Sequence, residues 1–243
     1  KLLQYHPGGL LLYLYGNSGQ VEHLFDLFRK VFEAIAEQGV NAEERGYLSG
    51  IVRRVDEQYY TDEWAKCCLL LYKKELLQKP PLCLQRLFFR HPDKMKMFLE
   101  ENPSRSFDVE NDYYLPEEAY QDKRAFDCWA ECLYEEFPEI LGYIMGKSCN
   151  GKDGAFPHEF IREFLEKQQN EKLTKAVFYG KFNSRGARIV QDGRTLYEQA
   201  KCYRAQAREL RLKFPQSAKI LLQLAKWMES EAQHDQLEAE IVP

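Results

Sequence analysis

Glycine and proline are sparse, 14 and 10 in 243 residues, which argues against an all-β chain that must turn tightly every few residues. No stretch alternates apolar and polar residues at period two for long, and only "ARIVQDG" (187–193) reads as a short strand. Long apolar runs are missing too: "LLLYLY" (10–15) and "CCLLLY" (67–72) fall far short of a membrane span. No signal peptide is visible, and an opening Lys1 in place of Met is what a fragment, or a product lacking its start, would show. Neither charge dominates. The net charge of −4 and pI near 5.9 imply no global attraction to nucleic acid or membrane. Five scattered histidines (His6, His23, His91, His158 and His234) have no Cys or Ser partner at a catalytic family's spacing. Seven cysteines, an odd number with several in apolar helical patterns, read as reduced thiols in a cytoplasmic protein.

Against these absences stand 15 Tyr, 15 Phe and three Trp, with 44% hydrophobic and 30% charged residues. That is an ordinary globular balance with a core of large side chains. Apolar residues recur at helical spacing through most of the chain. Val21, Leu24, Phe25, Phe28, Val31, Phe32 and Ile35 share one face, and Gly39 closes that helix. Asn41 with Glu44 reads as a capping box, and Thr61 as the cap of the next helix. Pro116 suits the first position of the helix carrying Phe126, Trp129 and Leu133. Near the C-terminus, Thr195 and Glu198 form a Thr-x-x-Glu box ahead of Leu196, Ala200, Tyr203, Ala207 and Leu210.

A helix end, a proline and a restarted apolar segment recur together at Pro7, Pro80, Pro138 and Pro215, at unequal intervals of 73, 58 and 77 residues. Proline cannot continue one helix but suits the first turn of another, so each junction reads as the hinge of a helical hairpin. The expected fold class is all-α: irregular helical hairpins stacked as an α-solenoid or repeat-like array, with a compact bundle as the alternative. The stretch 102–118 looks least helical, which suggests subdomains at 1–103 and 104–243 or an ordered crossover loop. Residues 180–194 read as a second long connection.

Two motifs in 140–160 resemble chemistry and fail on spacing. A phosphate loop needs four residues between its first glycine and Gly-Lys-Ser, but Gly142 and Gly146 are separated by three; a short helix ending at Gly146 fits better. A calcium loop aligned on Asp153-Gly154 puts Cys149 at its first position and Phe160 where a bidentate Glu belongs. "NGKDG" is then a tight turn before a helix opened by Pro157. Cys128 and Cys132 could supply two zinc ligands, but no second pair follows, so they read as core cysteines. No catalytic residue, metal or cofactor is expected.

Charge is segregated. Residues 108–139 hold eleven acids against Lys123 and Arg124, while 181–213 hold nine bases against Asp192, Glu198 and Glu209. Lys201, Arg204, Arg208 and Arg211 line one helix face, preceded by Lys181, Arg185, Arg188 and Arg194. These eight could hold the phosphates of nucleic acid or a nucleotide, or pair with acidic surface of this chain. In the acidic tract, Tyr113, Tyr114, Glu117 and Glu118 are candidates for docking a basic partner.

From Arg185-Gly186 and Asp192-Gly193 through Tyr203-Arg204, Pro215, Ser217-Ala218 and Glu229 to Ala232, residues 180–240 resemble the C-terminal helical tails of large bacterial multidomain proteins, of signalling-ATPase or phage-defence type. The resemblance implies a sensor or scaffold role and carries no catalytic residues. The expected function is a non-enzymatic helical module that binds a protein partner. A nucleic-acid or nucleotide adapter using 181–213, and an enzyme whose site is assembled from distant residues, are the alternatives.

Overall fold

The computed structural model describes residues 7–184 and 194–241, and every regular element among them is a helix. The chain divides into two compact units, Lys1–Asp108 and Val109–Pro243. The division lies beside the sequence-based boundary at 103/104. No helix among the described residues is long and apolar enough to cross a membrane.

The first unit contains α1 (Pro7–Gly16), α2 (Val21–Gln38), α3 (Ala42–Asp56), α4 (Asp62–Lys73), α5 (Leu82–Arg90) and α6 (Pro92–Glu101). Their principal contacts run between helices adjacent or next but one along the chain. Local chemistry places the ends. Gly39 takes φ +78° and its N–H closes on the Ile35 carbonyl, a conformation that costs glycine little. Asn41 and Glu44 form both bonds of the capping box, at 3.0 and 2.9 Å, and Thr61 Oγ1 accepts the Trp64 N–H at 3.1 Å. Phe28, Phe32 and fully buried Trp64 pack as one aromatic cluster in the core.

The division between units falls inside α7 (Ser106–Asp112). The stretch 102–118, read from sequence as least helical and as a subdomain boundary or a crossover loop, is helical at 106–112. Val109 on this helix and Tyr113 just past its end, whose N–H bonds the Val109 carbonyl at 3.2 Å, are both fully buried. The second unit continues with α8 (Lys123–Tyr134), α9 (Pro138–Gly146), α10 (Glu159–Gln168), α11 (Glu171–Asn183), α12 (Arg194–Leu210) and α13 (Pro215–Ile241). Pro138 and Pro215 open α9 and α13 as expected. Pro116 does not open α8: it precedes a 3-10 turn at Glu117–Tyr120, and Asp122 caps α8 through the Arg124 and Ala125 N–H groups. Pro157 likewise stops short of α10, whose cap is His158 Nδ1 accepting the Phe160 N–H. Thr195 lies inside α12, already helical at Arg194. The suggested strand at 187–193 lies outside the described residues.

In the second unit α9 and α11 approach backbone to backbone. A Cβ on Gly142 would lie 2.5 Å from Ala176 Cβ, one on Gly146 2.3 Å from the Val177 carbonyl oxygen, and one on Gly180 2.2 Å from the Tyr143 carbonyl oxygen. The glycines that imitate a phosphate loop are therefore the contact surface of two helix backbones. The neighbouring "NGKDG" is a turn, with Gly154 at φ +77° and its N–H on the Gly151 carbonyl. Asp153 Oδ1 accepts the Ala155 N–H within this turn at 3.1 Å. Its carboxylate takes two bonds, 2.7 and 2.9 Å, from the buried Arg162 guanidinium, which holds it below the usual carboxylate range.

Candidate functional site

Two helix faces build a cleft in the second unit. On α11, Leu173, Thr174, Ala176, Val177 and Gly180 are buried, and the Thr174 hydroxyl donates to the Asn170 carbonyl at 2.9 Å. Glu171, Thr174, Lys175, Phe178 and Tyr179, at i, i+3, i+4, i+7 and i+8, line the cleft. On α13, Ala218, Leu221, Ala225, Met228 and Ala232 face the core, while Gln216, Lys219, Gln223 and Lys226 line the cleft together with half-buried Trp227, which also packs against the core. Since α11 packs against α13, these two polar-aromatic faces enclose a cleft of about 590 Å³.

Its chemistry is one-sided. Lys175, Lys219 and Lys226 bring three ammonium groups against the single carboxylate of Glu171, with Thr174, Gln216 and Gln223 as hydrogen-bonding groups between them. The rings are held by other rings. Tyr143 stacks on Tyr179 at 6.3 Å and 14°, Phe178 meets Tyr179 edge-on at 5.3 Å, and Phe182 meets Trp227 edge-on at 4.6 Å. Such contacts fix the rings before any ligand arrives, lowering the ordering cost of binding. Glu166 secures the start of α13 by accepting the Gln216 N–H at 2.7 Å, and burial raises its carboxyl above the ordinary value.

The residues expected from sequence do not gather in one place. Arg204 binds Glu229 of α13 in a forked pair, at 2.8 and 2.5 Å, the internal pairing weighed as the alternative to phosphate binding. Lys201 bonds Glu198 at 2.6 Å one turn back, and the Lys181 ammonium sits 4.4 Å over the Phe156 ring. Arg194, Arg208 and Arg211 are exposed. Arg185 and Arg188 lie outside the described residues. In the acidic tract Tyr113 is fully buried, which corrects its place in a docking surface; Tyr114 is exposed beneath the Lys147 ammonium, Glu117 is exposed and Glu118 half-buried. Cys128 is exposed and Cys132 half-buried, so the pair is not core.

The cleft lysines were missed because each is unremarkable alone. Their signal was positional: Lys219 and Lys226 lie seven apart, and Lys175 lies on the same face as Phe178 and Tyr179. No protein-family model, curated protein or solved structure matches the chain.

Proposed function

We propose that the chain is a non-enzymatic helical binding module, a sensor or scaffold part of a larger assembly, whose second unit grips a phosphate-bearing ligand with exposed bases, single-stranded nucleic acid or a nucleotide, in the α11/α13 cleft. One observation carries this reading: three lysines and three aromatic rings, each ring held by a neighbouring ring, line one concave space. Ammonium groups attract phosphate without geometric demand, and every base offers a π-face to an aromatic ring, worth about 1–3 kcal/mol per stacked base. In this reading the site is on α11 and α13 rather than on the basic face of α12, where Arg204 is already paired.

Trp227 supplies the readout, because Trp64 and Trp129 are fully buried and Trp227 alone lines the cleft. Titration with a single-stranded oligonucleotide quenches its emission, and the affinity falls as salt rises. The double variant Lys175→Glu, Lys226→Glu abolishes the response, whereas Arg208→Glu with Arg211→Glu leaves it. Equal binding by the cleft variant, or equal affinity for an acidic peptide without bases, removes the proposal.

A protein partner is the second reading, favoured by α1. That helix is apolar nearly all round, with Leu11 and Leu14 buried while Leu12 and Tyr13 remain about half exposed. A second copy of the chain is its simplest occupant. Sedimentation then shows a concentration-dependent dimer that disappears with Leu12→Glu and Tyr13→Glu; a monomer at every concentration excludes self-association.

A further inference from the structure

Three ligand-type side chains meet in the core of the first unit. Asp56 is the last residue of α3, Cys68 lies on the inner face of α4, and Cys83 sits in the first turn of α5. All three are buried, and one carboxylate oxygen and the two sulfurs lie within 4.8 Å of one another. The carboxylate is already oriented: Oδ1 accepts the Trp64 indole N–H at 2.8 Å, and Oδ2 the Cys83 backbone N–H at 3.2 Å. The Cys83 thiol and the Leu82 backbone N–H also bond this carboxylate, so a metal ion would replace the thiol proton there. Asp56 also lines a cavity of about 450 Å³ with Val52, Leu77, Pro80 and Pro81. Arg53 and Lys79 line the same cavity against Glu57, so positive charge lies beside the cluster.

We infer that Asp56, Cys68 and Cys83 form a binding site for one thiophilic divalent cation, zinc by its ligand chemistry, with the fourth position open to water from the cavity. Tetrahedral zinc takes sulfur at about 2.3 Å and carboxylate oxygen at about 2.0–2.2 Å, which sets its ligand atoms somewhat under 4 Å apart. The three atoms therefore need to close by about 1 Å at most. Two thiolates and a carboxylate suit a borderline-soft ion and poorly suit calcium or magnesium, which take oxygen ligands. An unligated thiol carries its proton at neutral pH. Binding then exchanges two protons for one cation: Zn²⁺ plus two thiols and the carboxylate give a zinc–dithiolate–carboxylate centre of net charge −1 and two H⁺. The alternative is an inert core in which the thiols only hydrogen-bond to each other and to Asp56.

Cobalt(II) reports the difference in the reduced full chain. One equivalent produces a thiolate-to-cobalt charge-transfer band and releases two protons, and zinc displaces the cobalt. Cys68→Ser and Cys83→Ser each lose the band, while Cys67→Ser and Cys149→Ser retain it. Cadmium NMR of the wild type needs no variant to fold and shows one resonance in the range of two-thiolate coordination. No charge-transfer band, a band that survives both core substitutions, or a cadmium resonance in the all-oxygen range overturns the assignment.

Discussion

A methyl group added at Gly146 would stand 2.3 Å from the Val177 carbonyl, against backbone that has no flexible end to withdraw. Gly146→Ala therefore costs about 3 kcal/mol in urea unfolding, the upper end for overpacking a core. The control is Gly46, exposed within α3, where an added Cβ meets nothing within 4 Å. Gly46→Ala stabilises by about 0.5–1 kcal/mol, because it removes only unfolded-state freedom. Lys147, one residue beyond α9, gives a residue-scale prediction with a definite sign. Its ammonium donates to the Glu110 carbonyl at 2.5 Å, and burial lowers its pKa to about 7 although Asp112 and Glu110 oppose the shift. Above about pH 7 the unfolded chain holds a proton on this amine that the native state has lost, so its contribution to stability rises with pH. The stability of wild type relative to Lys147→Met climbs from about pH 7 to pH 8.5, by up to about 1.4 kcal/mol per pH unit. A flat difference shows that the amine remains charged in the fold.

Among the elements, the α10–α11 connection shows how little sequence a sharp junction needs. Gln169 ends α10 at φ +46°, in the left-handed region, and Asn170 caps α11 by accepting the Lys172 and Leu173 N–H groups. Gln169 is exposed and its Cβ is strained there, so Gln169→Gly raises stability by about 1 kcal/mol. Asn170→Ala lowers it by about 1 kcal/mol. Thermal melts of the two variants should move in opposite directions. Caps of this kind were legible in advance where the side chain was a strong capper, as at Asn41 and Thr61. They were misplaced where a proline offered a plausible but unused start, as at Pro116 and Pro157. In both cases Asp122 or His158, nearer the first apolar turn, holds the free N–H groups instead.

For the molecule as a whole, a net charge of −4 makes any phosphate binding a local affair of a few cations. Three cleft lysines should give a log–log slope of affinity against salt of about −2 for a single strand, at about −0.7 per phosphate neutralised. A slope near zero places the oligonucleotide elsewhere than the cleft. The all-helical class was determined by sequence alone, because apolar spacing at period 3.6 recurs from Val21 to Ala232 and each turn's hydrogen bonds close within a few residues. What only the tertiary structure decided are relations between distant residues. Gly142 met Ala176 and Gly146 met Val177 and Gly180 across two helix backbones, Arg204 was tied to Glu229, Tyr113 was buried, and Asp56, Cys68 and Cys83 were brought together. The physical reason is range: helical periodicity is written in neighbours three and four apart, whereas charge pairing, ligand clusters and clefts depend on which faces the packed helices turn to one another, and no local pattern encodes that.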